Sequence, residues 1–123
     1  MRKLNTIQKR ENLNDVFAID EKGNGNANHI YEIHGTINAE TKEKFCNPIY
    51  FQNGARNISN SVHGVIDIDL LEIVRDRLIG FQSGDFATEY NAKALEHIEL
   101  ALMYMNRRVE DRIERNVLGT NDK

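Results

Sequence analysis

Phe81, Asn91 and the arginines Arg108, Arg112 and Arg115 are the side chains of this 123-residue chain whose types and spacing best suit recognition of a small anionic, aromatic molecule. The arginines follow one another at intervals of four and three, which sets them along one side of a helix. Guanidinium groups sharing a face grip phosphate oxygens bidentately. They also have a plainer use, because cations near a helix C-terminus stabilise it through the backbone dipole. Arg107 stands apart from the stripe, since it can pair with Asp111 four residues on. Phe81 and Asn91 are expected to approach each other across a helical turn, where a purine can stack on the ring while the amide holds a polar edge. The alternative is that Phe81 is core and Asn91 a lone seam residue fixing helix register.

Nothing in the sequence reads as a reaction centre. His29, His34, His63 and His97 have no metal-ligand spacing with Cys46 or with one another, and are read as surface or loop side chains. There is no Gly-x-Ser-x-Gly elbow and no phosphate-cradling glycine loop with its lysine, and Gly23-Asn24-Gly25 is a turn. The acidic pairs Asp67/Asp69 and Glu96/Glu99 serve as caps and solvated helix face. An enzyme is therefore not expected, nor a cofactor or bound metal. A single cysteine excludes an internal disulfide and fits a reducing compartment. A net charge of -3 argues against a coat for DNA or RNA, yet leaves room for a small anion in a local pocket. With no long apolar run, neither a membrane span nor a signal peptide is expected, and the protein is placed in the cytoplasm.

The elements that must position these residues are a sheet and a helical hairpin. Asp67, Leu71, Val74, Leu78 and Phe81 are spaced as one side of a first helix, with Asp67 as its N-cap. Gln82-Ser83-Gly84-Asp85 supplies the turn and the second N-cap. Asn91, Leu95, Ile98, Leu102, Met105 and Val109 then form the seam of a second helix, uninterrupted by Gly or Pro until Gly119 and roughly 45 Å long, about twice the first. Its far end, bearing Met105, Val109 and Ile113, needs a cover, either the N-terminal half or a second copy of the chain. Upstream, residues 1–12 are polar, Glu21–Asn28 is a loop, and residues 16–19, 29–33 and 48–51 read as strands. The expected architecture is a single α+β domain, 1–123. It has a small antiparallel β-rich part over 13–53, a structured loop over 54–64, and a two-helix hairpin over 65–120 that oligomerises.

The segment Asp76-Arg77-Leu78-Ile79-Gly80-Phe81-Gln82-Ser83-Gly84, followed by Phe86, Asn91, Ala94-Leu95, Arg107-Arg108, Arg112 and Arg115-Asn116-Val117-Leu118-Gly119-Thr120, resembles the helical hairpin shared by phage anti-CBASS 2 and Thoeris anti-defense 1 proteins. The family pattern closes with Arg-Gly-Val-Glu-Gly-Thr, so Asn116 and Leu118 depart from it. Residues 28–33, 49–54 and 62–65 resemble the β-rich half of the Thoeris anti-defense 1 proteins. The resemblance implies a phage or prophage sponge that sequesters, without cleaving, cyclic ADP-ribose isomers such as 1''-3' glycocyclic ADP-ribose made by TIR-domain enzymes. It also implies a hexamer with separate pockets for cyclic di- or trinucleotides of the CBASS pathway. Carried over by position, Phe81 stacks on the base, Asn91 is a polar anchor, and Arg108, Arg112 and Arg56 hold phosphate or stack. Arg115 and Thr120 fall to the second pocket. A cyclic-nucleotide hydrolase and a protein–protein interaction module are the alternatives, the first lacking any visible metal cluster or poised base.

Overall fold

The computed structural model describes residues 1–123, which divide into two compact units. The first comprises Met1–Gly54 with Asn60–Gly64, and the second Ala55–Ser59 with Val65–Lys123. As the sequence predicts, an antiparallel sheet precedes two C-terminal helices.

In the first unit, β1 (Arg2–Lys3), β2 (Asp15–Ala18), β3 (Ile30–Asn38) and β4 (Glu43–Tyr50) pair antiparallel in sequence order. Register decides which side chains share a face. Asp15, His34 and Cys46 lie opposite one another, as do Phe17, Glu32 and Pro48, so all six stand on one face. Val16, Ala18, Tyr31, Ile33 and Ile49 stand on the other, with Ala18 buried. The loop after β2 is closed by Asp20, whose carboxylate accepts the backbone N–H groups of His29 at 3.0 Å and Ile30 at 3.2 Å. Burial pushes the Asp20 pKa up, but the hydrogen bonds from His29, Ile30 and Asn28 outweigh it and hold the group below its ordinary value.

The sheet is longer than the expected strands. β3 runs on to Asn38 and β4 begins at Glu43, joined by a turn in which the Asn38 side chain accepts the N–H groups of Glu40 and Thr41. The distal parts of these strands are mostly solvent-exposed, so no apolar alternation marks them. β1 falls inside the stretch read as merely polar, and Arg2 ties it to the loop by donating to Asn28 Oδ1 at 2.9 Å.

In the second unit, α1 (Asp67–Gln82) and α2 (Glu89–Glu114) form the hairpin. The N-cap of α1 is Ile66, not Asp67. The Asp69 carboxylate reaches back to accept the Ile66 N–H at 2.9 Å, while the Asp69 N–H goes to the Ile66 carbonyl. Likewise α2 is capped by Thr88, not Asp85, with Thr88 Oγ1 accepting the Asn91 N–H at 3.0 Å. The expected seam of α2 is the shielded line: Asn91, Leu95, Ile98, Leu102, Met105 and Val109 are all half-buried. On α1 the seam is rotated by one residue. Ile68, Leu71, Arg75, Leu78 and Gln82 are half-buried, whereas Val74 and Phe81 are exposed. Arg75 and Gln82 hold that line because both bond to the α2 side, Arg75 Nε to Glu99 at 2.9 Å and Gln82 to Thr88. These partners were not visible from hydropathy.

At about 1.5 Å per residue, the 16 residues of α1 and 26 of α2 span about 24 and 39 Å. α2 stops short of Gly119 because Asn116 adopts a left-handed φ of 57°. The Asn116 N–H bonds the Ile113 carbonyl at 3.0 Å and the Val117 N–H bonds the Arg112 carbonyl at 2.9 Å, the pair of bonds that closes a Schellman motif. Asparagine tolerates this conformation better than other L-residues with a side chain, so Asn116 serves as the stop signal.

Candidate functional site

The hairpin presents its candidate residues at two ends. At the corner, the Gln82 side chain clasps one residue twice: its Nε2 donates to the Thr88 carbonyl at 3.1 Å and its Oε1 accepts the Thr88 N–H at 3.0 Å. Ser83 Oγ donates to the Gly80 carbonyl at 2.7 Å, completing the end of α1. The clasp fixes the end of α1 to the start of α2, so Phe81 and Asn91 both sit within a turn of it. The Phe81 ring is 39% exposed and carries the Arg77 guanidinium 5.4 Å from its centroid. Asn91 is half-buried on the seam with its backbone N–H engaged by the cap. An exposed ring beside a cation is available for stacking, so the expectation of Phe81 as simple core does not hold.

At the other end, the C-terminal residues wrap around Arg112. This side chain is buried, and its guanidinium donates to the carbonyls of Asp122 at 2.6 Å, Val117 at 3.0 Å and Thr120 at 3.0 Å. Thr120 Oγ1 in turn donates to the Val117 carbonyl at 2.6 Å. Both terminal nitrogens of Arg112 and the Thr120 hydroxyl thus meet backbone acceptors, a placement that builds the tail, with Arg112 buried and Thr120 half-buried. Arg115 pairs with Asp111 at 3.0 Å and donates to the Lys123 carbonyl, so the expected Arg107–Asp111 pair is replaced by Arg115–Asp111. The pre-helix loop is stitched to the same tail, with the Asn57 N–H bonding the Gly119 carbonyl at 2.8 Å. Gly119 has φ 80°, and a Cβ there would stand 2.6 Å from the Asn57 amide, so the close approach requires glycine. Arg56 precedes Asn57 in this loop. Arg56 and Arg108 are exposed and take part in none of the ion pairs.

These two ends are far apart within one chain. Seventeen residues of helix separate Asn91 from Arg108, which is about 26 Å. Between them, open grooves of about 420 and 520 Å³ flank the helix contact, the first lined in part by Gln82, Glu96 and Glu99 and the second by Glu72, Arg75 and Glu99. Neither groove includes Phe81, Asn91 or Arg108, and their carboxylates disfavour an anion. An anionic ligand is better served by the free arginines than by the grooves of a lone hairpin.

On the sheet, pairing brings together residues that are distant in sequence. His34 Nε2 lies 2.8 Å from Glu32 Oε1, and this contact, more than burial, holds the Glu32 carboxyl below its ordinary pKa. Burial, together with the neighbouring Glu32, raises the Cys46 thiol. Spacing along the sequence missed this group because only strand register places His34 opposite Cys46. No helix is long and apolar enough to cross a membrane.

A protein named Thoeris anti-defense 1, from Bacillus phage SBSphiJ7, is 39% identical over 64 residues, covering 52% of this chain and 45% of the relative. The alignment thus spans less than half of that relative's length. A family model described as Acb2/Tad1, hairpin domain, matches residues 47–110, which takes in α1, the Gln82 clasp, Phe81, Asn91 and Arg108. Since that match covers more than half of the chain and falls on the hairpin itself, the protein belongs to the Acb2/Tad1 hairpin family.

Proposed function

We propose that the protein is a phage or prophage anti-defence factor that acts against Thoeris immunity in the cytoplasm of the infected bacterium. It binds a cyclic ADP-ribose isomer, 1''-3' glycocyclic ADP-ribose or a near relative, and holds it without cleavage, so that the effector is never switched on. The observation that carries this proposal is the match of the hairpin to a family that includes a protein named Thoeris anti-defense 1. The exposed Phe81 ring and the unpaired Arg108 and Arg56 suit a ligand with both a base and phosphates. Asn91, at the same corner of the hairpin, supplies the polar anchor. Arg112 acts through the tail it holds, and Arg115 and Thr120 are secondary contacts for a cyclic di- or trinucleotide.

Because Asn91, at the corner that also carries Phe81, stands about 26 Å from Arg108 along α2, one small nucleotide meets both groups only when a second copy contributes one of them. The working form is therefore a homo-oligomer, a dimer or a hexamer. The test mixes protein with the cyclic ADP-ribose isomer, measures loss of effector activation, then denatures the protein by heat. Masking followed by recovery of intact signal is expected. Masking without recovery would instead identify a hydrolase, and no masking at all an interaction module.

A further inference from the structure

We propose that Glu32, His34 and Cys46, brought onto one face of the sheet by the β3–β4 register, bind a divalent transition-metal ion of the zinc or cobalt class. Three donors of different kinds converge here: a carboxylate oxygen, an imidazole nitrogen and a sulfur, all within 4.8 Å of one another. In tetrahedral zinc sites with bond lengths of about 2.0 to 2.3 Å, neighbouring donors stand roughly 3.3 to 3.7 Å apart. The widest separation therefore needs to contract by about 1.5 Å at most, while the 2.8 Å Glu32–His34 contact opens by about 0.5 Å. Glu32 and His34 are two residues apart on β3 and share a face, while Cys46 is the direct partner of His34 across the ladder, so the backbone already aims all three together.

The donor types select the ion. Thiolate and imidazole favour zinc or cobalt over magnesium or calcium, which prefer all-oxygen shells. A carboxylate and a thiolate also balance two positive charges, and the thiol releases its proton to solvent as the metal–sulfur bond forms. The Phe17 ring, 4.6 Å from the His34 ring at 46°, limits how far the imidazole can swing. A cavity of about 520 Å³ borders His34 and Cys46 and leaves space for a fourth ligand, such as water or an anion. A nucleophilic thiol fits the geometry less well. Burial and the neighbouring Glu32 carboxylate raise the Cys46 thiol, which works against thiolate formation in the absence of a metal.

The test is a titration of reduced full-length protein with cobalt(II), followed by competition with zinc(II). One equivalent of cobalt should bring up a thiolate-to-metal charge-transfer band together with visible bands of tetrahedral intensity, and zinc should bleach both. Cys46→Ser should remove the charge-transfer band while circular dichroism stays unchanged, because the residue is exposed. His34→Ala and Glu32→Gln should each weaken cobalt binding by at least about tenfold to a hundredfold, the loss associated even with outer-shell partners. The site is overturned if wild-type protein shows no such band, which needs no variant to fold, or if the band survives Cys46→Ser. Unchanged affinity in both His34→Ala and Glu32→Gln would reduce it to a surface thiol.

Discussion

A buried guanidinium is stable only when its donors find acceptors, and Arg112 meets three tail carbonyls. Arg108, four residues earlier, is exposed and unpaired, so substitution by lysine should separate the two arginines. Arg112→Lys keeps the charge but loses the planar fork, and should cost about 1.5 to 3 kcal/mol of stability, read as a lower melting temperature. Arg108→Lys should leave melting unchanged and weaken nucleotide binding, because a point charge cannot reproduce bidentate phosphate contact. Equal melting in both variants would remove the tail-holding role from Arg112. Asp20 gives a prediction in pH. Its pKa is lowered in the fold, so its contribution is complete above the ordinary carboxylate value and is lost as pH falls through the lower folded value. The Asp20 contribution to thermal stability should accordingly be lost on the acid side. Asp20→Asn should lose stability at neutral pH and narrow its gap to the wild type as the pH drops.

The elements differ in how plainly the sequence announces them. The α2 seam, a four-and-three repeat from Asn91 to Val109, is legible because apolar spacing and actual shielding coincide. The α1 seam is misread by one residue, since the contact positions Arg75 and Gln82 are polar and earn their places through Glu99 and Thr88 rather than through hydropathy. The stop at Asn116 was hidden for a related reason: asparagine signals a left-handed cap less plainly than glycine. The outer parts of β3 and β4 and the whole of β1 carry no alternation to read. Register also explains why Phe81 and Asn91 could be proposed from spacing while the Glu32–His34–Cys46 group could not, because helix neighbours follow from local periodicity and sheet neighbours do not. Two variants test the helix-end devices. Gln82→Ala removes both bonds to Thr88 and should cost about 1 to 2 kcal/mol, together with nucleotide affinity if the corner is part of the site. Asn116→Gly should be neutral or stabilising by up to about 1 kcal/mol and Asn116→Ala destabilising by about 1 kcal/mol, as measured by chemical denaturation.

At the scale of the molecule, the hairpin leaves too much apolar surface in water for a self-sufficient unit. No residue of α1 is buried and Arg112 alone is buried in α2, while Ile73, Phe86, Tyr90, Met103 and Tyr104 are exposed. Covering these faces with a second copy removes apolar area worth about 25 cal/mol per Å², and it can also unite the two ends of the proposed site. Light scattering at micromolar concentration should therefore give a mass at least twice 14.2 kDa. A sharper test uses two defective chains. Phe81→Ala alone should weaken nucleotide binding by about 1 to 3 kcal/mol, and Arg108→Ala should also weaken it. If each site takes the corner from one copy and the arginine from another, random mixing of the two variants regenerates about one intact site in four. That fraction should appear as a high-affinity step in calorimetry of the coexpressed, co-purified assembly. If both groups act within one chain, every site carries one defect and no high-affinity step returns. The outcome distinguishes a shared site from an internal one without requiring the mutant assemblies to differ in size, since both variants leave the α1–α2 seam intact.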